Sequence, residues 1–114
     1  MKRILQKLWS IAIAVLPVFF LIGCDNPTPE VVPQKYVVLI KDMRFQPDSI
    51  TVHVGDTIEW VNKDMVDHDI TEETNKEWSS GKLPPGKSWD YVVTKSASYY
   101  CSIHVVMKGK IEVP

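Results

Sequence analysis

Cysteine is scarce in this chain of 114 residues: Cys24 and Cys101 are its two, beside three histidines, His53, His68 and His104. Two cysteines cannot build a multi-disulfide scaffold. No segment holds a helical period over ten residues, which excludes a helix bundle. No basic stripe is present, which argues against nucleic acid as a partner. No apolar run reaches the ~20 residues that a spanning helix needs. At 13.0 kDa the chain has room for one small domain, and a large enzyme with separate cofactor and substrate domains is excluded. Hydrophobic content of 45% and three tryptophans after Trp9 favour a folded globule over disorder.

The formal charge of −1 conceals an uneven distribution. Lys2, Arg3 and Lys7 lie in a stretch without acids; setting these three of the thirteen bases aside leaves ten against fourteen acids, or −4. Leu8–Ile22 is a 15-residue uncharged, mostly apolar run interrupted by Pro17. A charged start and a short apolar run match a secretory signal, so residues 1–23 are read as a leader. The run ends Leu21-Ile22-Gly23-Cys24, which resembles the lipobox of bacterial lipoproteins. The resemblance implies lipidation at Cys24, with Asp25 after it resembling the inner-membrane retention signal of enteric lipoproteins. Each buried acyl methylene adds about 0.8 kcal/mol, so several chains on one cysteine anchor a domain stably. The expected location is periplasmic or extracytoplasmic, at the inner rather than the outer membrane. Residues 24–34, with Pro27, Pro29 and Pro33, read as a semi-rigid tether, and 35–114 as the domain.

The domain reads as all-β. Tyr36–Ile40 is β-branched and aromatic; Ile50, Val52 and Val54 alternate with Thr51 and His53. Gly55-Asp56 predicts a turn, from which Thr57–Val61 returns with Ile58 and Trp60 on one face. Pro84-Pro85-Gly86 predicts a second turn before the alternation Trp89, Tyr91, Val93. Tyr99–Cys101 and Lys110–Val113 complete the set. Short strands with regular turns predict an antiparallel sandwich or barrel. His53 is expected on the solvent face. Trp60, Trp78 and Trp89 are assigned to core or rim, and Met65 to packing or a loop contact rather than to axial ligation. The acidic residues Asp64, Asp67, Asp69, Glu72, Glu73 and Glu77 read as a solvated face, with steering of a basic partner as the functional alternative.

The chemistry is concentrated in Cys101-Ser102-Ile103-His104-Val105-Val106-Met107, where thiolate, imidazole and thioether recur every three residues. An unpaired thiol outside the cytoplasm is a liability unless something holds it, and a metal does so. With His68, delivered from a distant strand end, the donors are two nitrogens, a strong sulfur and a weak one. His₂Cys with a long axial Met is the donor set of electron-transfer copper. Metal–ligand bonds of about 2.0–2.3 Å require the donors to converge within about 4 Å. Competing readings are weaker. A cysteine nucleophile needs oxyanion donors for which no motif is present, and structural zinc prefers more thiolates than one.

These residues resemble the cupredoxins, the blue-copper proteins of the plastocyanin and amicyanin group. The resemblance runs from Phe45-Gln46-Pro47 and the stretch Val52–Asn62, through Asp67-His68-Asp69, Ser79-Ser80-Gly81 and Leu83–Gly86, to Tyr99–Val113. The Cys-x2-His-x2-Met spacing is similar to amicyanin's short ligand loop. The resemblance implies a small Greek-key β-sandwich or barrel, one type 1 copper per chain held by His68, Cys101, His104 and Met107, and no enzymatic activity. It implies a monomer with a redox donor and acceptor as partners, membrane contact through the lipid, and neither nucleic acid nor a small-molecule substrate. The family often has Asn after the first histidine, tying two ligand loops together; Asp69 stands here, and an ionised carboxylate cannot donate. Its charge is expected to favour Cu(II). The family often has proline before the second histidine, and amicyanin another after it; Ile103 and Val105 stand there. The alternative function is a copper-binding module for delivery, storage or sensing.

Overall fold

A computed structural model describes residues 13–114. Lys2, Arg3, Lys7 and the start of the apolar run lie outside the described residues. The chain divides into two units, Met1–Glu30 and Val31–Pro114. In the first, residues 13–30 form no regular element, and Ile13, Leu16, Phe19 and Phe20 are exposed. Among the described residues no helix is long and apolar enough to cross a membrane.

The second unit is built from eight strands: β1 (Lys35–Lys41), β2 (Arg44–Gln46), β3 (Ser49–Thr51), β4 (Thr57–Asn62), β5 (Thr71–Glu72), β6 (Ser88–Val92), β7 (Ala97–Tyr100) and β8 (Lys108–Glu112). They form two four-stranded sheets, ordered β2-β1-β4-β6 and β3-β8-β7-β5. The period of two puts one face of each strand inside. Val38 and Ile40 of β1, Ile58 and Trp60 of β4, Tyr99 of β7 and Ile111 of β8 are all fully buried. The sheets meet through aromatic rings: Tyr99 lies edge-on to Phe45 at 4.9 Å and to Trp60 at 5.3 Å. Trp78 and Trp89 pack beside Trp60 at the rim, as expected.

Three expectations are corrected. The sheets are mixed, not antiparallel: β1 runs parallel to β4 and β3 parallel to β8. Side-chain alternation reports which face is buried, not the direction of the neighbouring strand. Next, Ile50–Val54 is not one strand returning on Thr57–Val61. β3 ends at Thr51, Val54 is exposed, and β3 and β4 lie in different sheets. The predicted turn is real, with Gly55 at φ +94°, but it carries the chain from one sheet to the other. Asp56, fully buried, fixes that crossing by accepting from the amides of Gln34 (2.7 Å) and His53 (2.8 Å). Its two amide bonds hold its carboxyl below the usual carboxylate range.

Finally, the acidic run is not one solvated face. Asp69 and Glu72 are buried, and the Asp64 side chain is 14% exposed. The Glu72 carboxylate accepts from the amides of Thr74 (2.7 Å), Asn75 (2.8 Å) and Glu77 (3.2 Å), closing the loop after β5. Burial alone would raise its pKa; the amides of Asn75, Thr74 and Glu77 outweigh that and bring it from 4.5 to about 2. A depressed carboxyl stabilises the fold above its unfolded pKa and loses that contribution as pH falls toward the folded one. Stability is therefore expected to drop between about pH 4.5 and pH 2, and Glu72→Gln to flatten that limb in melts recorded across this range. An acid limb identical in the variant would assign it to other groups.

Candidate metal centre

The centre is assembled at one end of the two sheets. Cys101 directly follows β7 and Met107 directly precedes β8, so the loop between them spans two antiparallel neighbours. It closes on itself: Cys101 N donates to Met107 O at 3.1 Å, and Met107 N to His104 O at 2.9 Å. A seven-residue loop pinned at both ends has few ways to aim its side chains inward. Cys101 and Met107 are buried and His104 is half-buried, while Ile103, Val105 and Val106 point to solvent around it.

His68 comes from the loop after β4. Its backbone exchanges two hydrogen bonds with Leu83, 3.1 Å from His68 N and 2.7 Å from Leu83 N. Asn62, fully buried at the end of β4, organises this loop. Its Nδ2 donates to Val66 O (2.8 Å) and Leu83 O (2.9 Å), and its Oδ1 accepts from Asp64 N (3.0 Å). The fully buried His68 ring then presents Nδ1 to Cys101 Sγ at 3.8 Å. His104 Nδ1 lies at the same 3.8 Å from that sulfur. One donor atom from each of His68, Cys101 and His104 falls within 4.8 Å of the others, and the two imidazole centroids are 4.9 Å apart. The two sulfur–nitrogen separations of 3.8 Å suit one ion with bonds of about 2.0–2.3 Å to each.

Asp69 does tie the loops that carry His68 and Cys101 together, from the acceptor side. Its carboxylate accepts from Ser102 N (2.6 Å), from the Ser102 hydroxyl and from Thr71 Oγ1 (3.3 Å). Its backbone amide donates to Cys101 Sγ at 3.4 Å. Met65 is 89% exposed and so packs against nothing, contrary to expectation. His53 is exposed, as expected.

Two functional residues carry no distinctive sequence signal: Asn62 reads as part of a strand pattern, and Asp64 as one of several acids. Asp64 Oδ2 lies 2.9 Å from His68 Nε2, and its oxygens also accept from the amides of Asp42 (2.8 Å) and Met43 (3.0 Å). Burial works against its charge, but the Met43 amide, the His68 ring and the Asp42 amide together hold its carboxyl below the usual range. The i,i+4 spacing of Asp64 and His68 was the available signal.

Comparison with known proteins agrees with this geometry. The model of the copper binding proteins of the plastocyanin/azurin family matches residues 33–114. Amicyanin of Paracoccus denitrificans is 27% identical over 90 residues, 74% of this chain and 69% of that protein. Among solved structures, the copper-containing nitrite reductase of Thermus scotoductus superposes with a TM-score of 0.64 at 29% identity, covering 73% of this chain but 22% of the reductase. The purple cupredoxin of Nitrosopumilus maritimus superposes with a TM-score of 0.62 at 24% identity over 69% of this chain and 99% of its own, a likeness of fold. The pinned ligand-type loop, the His–Cys–His convergence and the match across the β-sheet unit lead to one assignment: this chain belongs to the plastocyanin/azurin family of copper-binding proteins.

Proposed function

We propose that the protein is an electron carrier that holds one type 1 copper per chain and passes single electrons between two redox proteins outside the cytoplasmic membrane. The observation that carries this reading is the convergence of His68, Cys101 and His104 at one point. These three would be the strong ligands and Met107 the weak axial one. Thiolate and thioether favour Cu(I) and imidazole suits both states, so bound copper supplies a one-electron couple. The chain's own part is to keep the donors still. The closed 101–107 loop, the His68–Leu83 pairing and the Asp69–Ser102 tie all resist rearrangement between oxidation states. The protein is not an enzyme; a carrier needs no substrate position. Half-buried His104, ringed by exposed Ile103, Val105 and Val106, is the point where an electron would enter and leave.

The proposal extends to the whole chain: residues 1–23 as a lipoprotein leader, lipid on Cys24, a tether to residue 34 and a monomeric domain from 35 to 114. The run of exposed apolar side chains at Ile13–Ile22 and the exposed Cys24 support it. The test is a Cu(II) titration of the purified chain followed by visible absorption. An intense blue band saturating at one equivalent is expected. Colourless binding with rapid loss to a chelator would instead favour copper delivery.

Asp69→Asn tests the electrostatics of the same site. Removing a buried negative charge from beside the thiolate should raise the potential by roughly 20–60 mV, a two- to tenfold shift in the Cu(II)/Cu(I) affinity ratio. A redox titration showing no rise would remove Asp69 as a source of that bias.

A further inference from the structure

The fully buried His68 ring has two nitrogens with opposite duties. Nδ1 faces Cys101 Sγ, while Nε2 faces a carboxylate, Asp64 Oδ2, at 2.9 Å. A neutral imidazole that ligates through Nδ1 must carry its proton on Nε2, where a carboxylate is the strongest acceptor available. That carboxylate is itself held. Its two oxygens accept from the amides of Asp42 and Met43, and its own backbone amide donates to Asn62 Oδ1. Asp42 and Met43 occupy the left-handed region, at φ +53° and +57°, in the turn between β1 and β2. Two consecutive non-glycine residues with positive φ are costly, and the bonds to Asp64 help offset that cost. The turn and the end of β4 thus form a strut that ends on the metal-facing histidine.

We infer that Asp64 is a positioning and tuning residue for this centre: its carboxylate fixes the Nε2–H tautomer of His68, strengthens Nδ1 as a donor and biases the site toward the more highly charged metal ion. The inference rests on the copper reading above. An acceptor that pulls on Nε2–H raises the basicity of the ligating nitrogen, and second-shell partners of this kind typically contribute 10–100-fold to metal affinity. Their effect is larger for Cu(II) than for Cu(I), because the net negative charge acts on one additional positive charge. A carboxylate in this place therefore lowers the potential as well as orienting the ring.

The experiment compares the wild-type chain with Asp64→Asn, by potentiometric titration and by competition for Cu(II) and for Cu(I). Cu(II) affinity should fall about tenfold and Cu(I) affinity stay within about twofold, a rise in potential of about 59 mV for one electron. Asn keeps the size of Asp but supplies a donor where two amides and an imidazole N–H all need acceptors, so the fold could suffer. Met43→Gly in the same background restores the turn without the carboxylate, because glycine accepts positive φ freely. The raised potential should persist in that double variant. A potential moved by less than about 18 mV, under twofold, in whichever variant folds would overturn the inference. A ¹⁵N spectrum of the wild-type Cu(I) protein gives an independent reading: His68 should be protonated at Nε2 alone, and protonation at Nδ1 would overturn the inference without any variant. A wild-type chain that shows no blue band with Cu(II) would sink the copper reading and this inference with it. A blue wild-type protein with an unmoved potential in the variants would sink only the role of Asp64.

Discussion

Replacing Cys101 by serine should abolish the blue absorption of the copper-loaded protein while leaving the fold intact. The two effects separate because the side chain accepts one backbone bond and has one chemical task. Cys101 is fully buried, and its sulfur accepts from Asp69 N at 3.4 Å; a serine oxygen can accept the same bond. The cost to the apoprotein should be about 1 kcal/mol, an ordinary value for a single substitution. The charge-transfer band, in contrast, belongs to a thiolate–copper bond and has no oxygen equivalent. Loss of a direct ligand should also exceed what outer partners contribute, so Cu(II) affinity should fall by more than about 100-fold. Visible spectra, a chelator competition and an apoprotein melt measure the three quantities together. A blue band surviving in the variant would mean that the sulfur is not a ligand, and the carrier reading would fail.

Gly109→Ala should be the most damaging small substitution in the sheets. Gly109 of β8 sits directly across from Tyr99 of β7, and a Cβ at Gly109 would lie inside 3.0 Å of the Tyr99 ring carbons Cζ and Cε2 and of its hydroxyl. Tyr99 cannot swing away. It is fully buried, with Phe45 and Trp60 edge-on at 4.9 and 5.3 Å and Trp78 at 6.4 Å. Burial also pushes its hydroxyl pKa up to about 12, so it stays neutral in this apolar setting. Overpacking costs about 1–3 kcal/mol, and each disrupted aromatic pair adds about 0.5–1.5 kcal/mol. A total near 3 kcal/mol should lower the melting temperature by roughly 12–24 °C in a domain this small. The site should suffer too, since Tyr99 and Gly109 lie two residues outside the ends of the Cys101–Met107 loop. Combining Gly109→Ala with Tyr99→Leu should recover part of the loss, as expected for coupled neighbours. A fall of less than about 4 °C in the single variant would show that the ring has room to move.

The strands' buried faces and the Cys101–Met107 loop were readable from local pattern, and the reason is physical. Alternation at Ile58 and Trp60 or at Trp89 and Tyr91 records a buried face within a few residues. Cys101, His104 and Met107 carry their spacing in one loop. What was not readable depends on residues far apart in the chain. Nothing in Lys35–Lys41 states that its neighbour β4 runs parallel, or that β3 pairs with β8 instead of β4. Val54 continues the alternation of Ile50 and Val52, yet the bond from His53 N to Asp56 has already turned the chain toward the other sheet. Asp64 and Glu72 resemble any exposed acid in sequence. Only the folded chain brings amides and an imidazole to their oxygens. Asp69 was legible as a departure from the family pattern, but its role as acceptor from Ser102 required the structure.

The strand order has a mechanical consequence. β1 and β8, the first and last strands, both lie inside their sheets, each flanked on both sides, while the edges are taken by β2, β6, β3 and β5. Neither of these two strands can peel away as a free edge. A pull through the N-terminal segment loads β1 along its length, against its six register positions with β4 and three with β2, in shear rather than one bond at a time. A domain tugged from its leading end would hold until a whole strand slid.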